Sequence, residues 1–115
     1  MVFAGGSGWG LKIGSCYWDA KPDHIVRKSF EAYFKGERDM DRPTWDQLRM
    51  LYACRPASRA KFETSAAGVI VMDEKHSLHW SESPDARRSY AYVKNGDAVR
   101  AELTELMMHV PVRRR

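Results

Sequence analysis

Cysteine is scarce in this chain: Cys16 and Cys54 are the only two among 115 residues. They are far apart, so the paired Cys-x-x-Cys spacing of a structural zinc centre is missing. A disulfide-dense secreted scaffold is excluded as well, and the expectation is two reduced, half-buried thiols. Long apolar runs are also missing. None approaches the ~20 residues that a membrane-spanning helix needs. No basic segment followed by an apolar stretch opens the chain, so no secretory leader is expected. The sequence thus reads as cytoplasmic, with no membrane partner.

Charge of one sign is scarce once its source is located. Lys and Arg outnumber Asp and Glu by 19 to 15, and the sequence pI is about 9.2. Arg113, Arg114 and Arg115 supply three of the four excess positive charges. A nearly neutral body argues against an extended nucleic-acid-binding face. The remaining charge is divided along the chain. Residues 27–61 hold nine basic and five acidic side chains, whereas residues 62–112 hold five basic and eight acidic ones. A two-signed surface suits a protein partner better than a duplex.

Five of the eight glycines fall at Gly5, Gly6, Gly8, Gly10 and Gly14. Neither phosphate-binding pattern fits them. Gly10 is followed by Leu11-Lys12-Ile13 where a P-loop needs Gly-Lys-Ser/Thr, and the Gly8–Gly14 spacing is one residue too long for a dinucleotide fingerprint. No cofactor is expected.

Hydrophobic periodicity carries the fold. Leu11–Trp18 alternates and predicts a strand, with Leu11, Ile13 and Tyr17 on one face. After Pro22, Asp23 is the expected cap of a helix in which Ile25, Val26, Phe30, Tyr33 and Phe34 share one side and Gly36 ends the run. That helix is expected to be central to the core. Thr44-Trp45-Asp46-Gln47 matches a capping box ahead of Leu48, Leu51 and Tyr52, and Arg55-Pro56 breaks that helix. Ala57–Ser65 reads as a short helix, Gly68–Met72 with His76–Trp80 as a hairpin, and Ser89–Lys94 as a further strand. Residues 98–109, capped by Asp97, read as a last helix. The expected class is α+β: a small, mostly antiparallel sheet of about three to four strands packed on about three to four helices. It forms one globular domain over 1–112, with a Gly-rich opening at 1–10 and a basic tail at 113–115.

Chemistry-bearing clusters are few. His76 and His79 are three apart, which on a strand sends the rings to opposite faces, so no metal site is expected. Neither cysteine can be set beside a histidine base, so no catalytic residue is expected. The densest basic stretch holds Arg49, Arg55, Arg59 and Lys61 among aromatic residues. It is compatible with a loose helix–turn–helix, although no Asn or Gln is placed to read adenine. Trp9, Trp18 and Tyr92 belong to no amphipathic face and resemble interface anchors.

The candidate partner-binding residues are therefore Trp9, Trp18, Tyr92, Arg49, Arg55, Arg59, Lys61 and Arg113–Arg115. The expectation is a small non-enzymatic binding protein that regulates or inhibits a protein partner, by analogy with inhibitors encoded by mobile elements. The partner class in view is a component of a nucleic-acid-processing machine. A nucleic-acid-binding module using residues 49–61 and the arginine tail is the first alternative. A small enzyme of an unfamiliar family is the second. The sequence does not set the oligomeric state.

Overall fold

The computed structural model describes residues 2–4 and 10–110. In chain order they form β1 (Val2–Ala4), β2 (Lys12–Ile13), a 3-10 segment Ser15–Asp19, α1 (Ile25–Tyr33), β3 (Arg42–Pro43) and α2 (Trp45–Cys54). A second 3-10 segment, Pro56–Lys61, leads to β4 (Phe62–Thr64), β5 (Gly68–Met72), β6 (Leu78–Glu82), β7 (Ser89–Val93) and α3 (Gly96–Met108). Helices with small, mostly antiparallel strand pairs make an α+β fold. The strands sort into three sheets rather than one: β1-β7-β4, β2-β3 and β5-β6. β1 runs parallel to β7 and β4 runs antiparallel to it. The glycine-rich opening therefore contains a strand that its composition conceals.

The core gathers Leu11, Ile13, Tyr17, Leu48, Leu51, Phe62, Val99 and Leu103. Leu11, Ile13 and Tyr17 share it as their alternation predicts, but the strand that was to carry them stops at Ile13. The reason lies at Gly14. A Cβ there would meet the Met40 carbonyl oxygen, with Phe30 Cε1 at 2.8 Å. The close approach of the 40–41 main chain turns residues 15–19 into a 3-10 segment, in which the Tyr17 N–H donates to the Gly14 carbonyl at 2.9 Å.

α1 is amphipathic but does not form the core's centre. No residue of it is buried. Val26, Phe30 and Phe34 are half-buried, whereas Ile25 is 73% and Tyr33 59% exposed. Its stripe is wider than the surface available to cover it. The cap also moves: His24, not Asp23, precedes the helix, and its Nδ1 accepts from the Val26 N–H at 3.3 Å. Gly36 ends the run as expected, at φ 84°, the left-handed region that favours glycine.

Thr44 precedes α2 without capping it. Its hydroxyl donates to the Leu11 carbonyl at 2.9 Å, and its N–H reaches the same oxygen at 3.1 Å. Thr44 is fully buried, so this hydroxyl has been taken out of water to tie α2 to the segment before β2. Thr44→Val keeps the volume and removes the donor. We expect it to destabilise the fold by about 1 kcal/mol, read from urea unfolding, and an unchanged midpoint would deny the tie. At α3 the cap is Asn95, whose Oδ1 accepts from the Ala98 N–H, while Asp97 pairs with Arg100 at 2.8 Å.

Candidate interaction surface

β5 reads Gly-Val-Ile-Val-Met, a run whose β-branched centre favours the extended chain. Asp73 shapes the turn that follows. Its Oδ1 accepts from the N–H groups of Lys75 (2.8 Å) and Ser77 (2.9 Å), and His76 takes φ 61°. His76 therefore lies in the turn rather than on the strand. The second Asp73 oxygen meets His79 Nε2 at 2.6 Å. These bonds, His79 first and Ser77 next, hold the Asp73 carboxyl below its ordinary value. A depressed folded pKa means that the stabilisation is present above the unfolded value of about 4 and is lost as pH falls through the lower folded one. We expect the Lys75 and Ser77 amide protons to lose exchange protection below pH ~4. Protection that is flat with pH would exclude this role for Asp73.

The register places Ile70 opposite Trp80 and Met72 opposite Leu78 on one face, with Val71 opposite His79 on the other. Nothing among the described residues covers the outer part of this ribbon. Leu78 is 69% and Met72 61% exposed, and Ile70 and Val71 are nearly half exposed. The base is anchored. The Gly68 N–H donates to the Arg88 carbonyl and the Ser83 N–H to the Ala67 carbonyl. The Trp80 ring lies against Gly68, where an added Cβ would stand 2.6 Å from Trp80 Cε2, and it packs 6.4 Å from the Tyr90 ring. The Cα radius of gyration is 17.1 Å, against about 13 Å for a compact chain of this length. The hairpin is an arm standing off the body.

A second apolar surface lies on the body. Ile25, Val26, Met107 and Val110 line a groove of about 440 Å³ with Leu106. Leu106 also borders an adjoining groove of about 280 Å³ formed with Met50, Leu51 and Cys54. Lys21 and Arg55 stand on these walls, with Asp23 as the one acid among them.

The residues singled out from sequence fare differently. Trp9 and Arg113–Arg115 lie outside the described residues. Trp18 is half-buried beneath the guanidinium groups of Arg38 (5.0 Å) and Arg27 (5.5 Å). The Tyr92 hydroxyl donates to Glu63 at 2.8 Å, and Glu63 also pairs with Lys94. Arg49 sits 3.7 Å from Asp46. Arg59 caps the end of α2, donating to the carbonyls of Tyr52 and Ala53, and stacks on the Tyr52 ring. Arg55 and Lys61 converge with Ser58 on Glu102 of α3. The six residues Pro56–Lys61 form a 3-10 segment, so no recognition helix is available for a helix–turn–helix.

Glu102 is the hub of this group, its side chain only 13% exposed. Hydrogen bonds from Lys61 and Ser58 and the nearby positive charges hold its carboxyl below the ordinary value. Glu102→Ala leaves a part-buried ammonium and hydroxyl without their acceptor. We expect a loss of about 1.5–3 kcal/mol near neutral pH, shrinking below pH ~4.5 as the wild-type carboxyl protonates. Equal stability of variant and wild type at pH 7 would dissolve the hub.

Cys16 and Cys54 are free thiols, the first half-buried and the second exposed. Among the described residues, no three His, Cys, Asp or Glu side chains cluster as metal ligands, and no helix is long and apolar enough to cross a membrane. Sequence reasoning missed the arm. A strand apolar on both faces reads as buried between layers, and nothing local announces that both layers are absent. No protein family, curated protein or solved structure matches this chain.

Proposed function

We propose that the chain is a small non-enzymatic binding protein that regulates or inhibits a protein partner, and that the β5–β6 arm is what it presents. Support comes from one observation above the rest: four large apolar side chains, Ile70, Val71, Met72 and Leu78, stand in solvent on a projecting ribbon. A two-stranded hairpin is marginal alone in water and gains stability from a third strand or a packed face. Exposed contiguous apolar surface of this kind marks interaction sites. The arm and its flank hold Asp73, Glu74, Glu82 and Asp85 against Lys75 alone, a net charge of −3 over residues 68–85. The partner surface is then an apolar groove with a basic rim, as a component of a nucleic-acid-processing machine would offer beside its own nucleic-acid site.

The test is affinity capture with nuclease present, comparing wild type with Ile70→Asp/Leu78→Asp. Exposed positions tolerate such changes within about 0.5 kcal/mol, so circular dichroism and the melting temperature should hold nearly constant. A stoichiometric protein kept by wild type and lost by the variant supports the reading. Capture indifferent to the variant rejects it. Capture that disappears with nuclease moves the function to the basic stretch Arg49, Arg55, Arg59 and Lys61 with the arginine tail.

A further inference from the structure

We infer that two copies of this chain exchange arms, each β5–β6 hairpin seating in the groove that α1, α2 and α3 form on the other copy. The inference rests on the arm being the presented element, and it names what occupies that element before any other partner does. An apolar groove of the kind such an arm requires is present on the body of this same chain. Ile25, Met50 and Val110 are each more than half exposed there. Lys21 and Arg55 against Asp23 give its walls a net charge of +1, with Arg55 also paired to Glu102, opposite in sign to the −3 of the arm.

The Gly68 N–H bond to the Arg88 carbonyl ties the base of the arm to the segment that leads into β7, in a molecule 51 Å long. The ribbon therefore extends beyond the body instead of folding back over it. Exchange between two copies buries both apolar surfaces twice over and closes a two-fold assembly, leaving no open end to propagate a fibre. Stable interfaces bury about 1,200–2,000 Å² in total, so each of the four contributing surfaces must supply about 300–500 Å². Ile70, Met72 and Leu78 are the exposed apolar side chains that share the face offered. Hetero-partner binding then requires the exchanged pair to open, which makes the arm's availability depend on protein concentration.

Sedimentation of the full chain from about 1 to 100 µM tests the pairing. We expect a mass of twice 13.2 kDa at the upper end, and Met72→Asp/Leu78→Asp should weaken the pairing at least about 30-fold. The native thiol of Cys54, exposed on the groove, provides the second arm of the test. A Leu78→Cys/Cys54→Ser chain is mixed with isotopically heavy wild type and treated with a short bismaleimide. A light arm thiol joined to heavy Cys54 is the expected product. Wild type that stays monomeric, or a dimer indifferent to the arm variant, overturns the exchange. In an isotope-mixed Leu78→Cys chain that keeps Cys54, links within single copies alone would overturn it too, by placing the arm on its own body. The two readings separate cleanly. A monomer that still captures a partner through the arm rejects the exchange and keeps the proposed function. An arm-dependent dimer whose capture is indifferent to the arm does the reverse.

Discussion

Tyr17→Ala should remove about 3–5 kcal/mol of stability, the range for deleting a large buried aromatic. For a domain of this size that is a large part of the total. Tyr17 is fully buried. Its ring meets the edge of Phe30 at 4.8 Å, and its hydroxyl donates to Met107 Sδ at 3.0 Å. One side chain thus joins α1 to α3, and burial pushes its phenol well above the ordinary range. Tyr17→Phe, which keeps the ring, should lose less than about 1 kcal/mol. Urea unfolding of the two variants separates ring from hydroxyl. A loss below ~1 kcal/mol for the alanine variant would show that α1 and α3 meet without it.

The second large effect is expected at Gly14. A Cβ there runs into the Met40 carbonyl oxygen and stands 3.0 Å from Asp41 Cα, and both are main chain. No rotamer change relieves that contact. The 40–41 segment must retreat, and with it Asp41 Oδ1, which accepts from the Ser15 N–H at 2.8 Å. Gly14→Val should cost at least the upper end of the ~1–3 kcal/mol seen for overpacking, measured by thermal unfolding. Gly36→Ala is the useful contrast. Nothing lies within 4 Å of the added carbon, so only its left-handed φ opposes the change, at about 1 kcal/mol. Equal losses at the two positions would mean that the close approach at Gly14 is absent in solution.

These two sites also show how far the sequence can be read. Alternation told which of Leu11, Ile13 and Tyr17 share the core, because burial follows side-chain direction. It did not tell that the backbone leaves the strand after Ile13, because that turn is imposed by Met40 and Asp41, distant in sequence. Gly68–Met72 was legible to the residue as a strand. Its surroundings were not, since nothing in a Val-Ile-Val run says whether a second layer will cover it. The same limit applies to α1, whose stripe predicts a buried face but not how much of the domain exists to bury it. The basic stretch misled for another reason. Charge is visible in sequence, but its partners Glu102, Tyr52 and Ala53 are assigned only by the packing of α2 and α3. The expected anchors Trp18 and Tyr92 meet Arg27, Arg38 and Glu63 in the fold, and neither pairing has a local signature.

The parallel pairing of β1 with β7 sets an order of events at the ribosome. Ala4 pairs with Ala91, and Leu11 packs into a core that includes Val99 and Leu103. At about 5–20 residues per second, the first strand waits roughly 4–17 s for its mate to be synthesised. The β5–β6 ribbon is completed at Glu82, near the end of that interval, before the helix that walls the groove is made. Neighbouring chains on one messenger then display unsatisfied apolar ribbons side by side. Holdase chaperones that bind extended apolar segments should be able to engage residues 69–72 before the C-terminal helix exists.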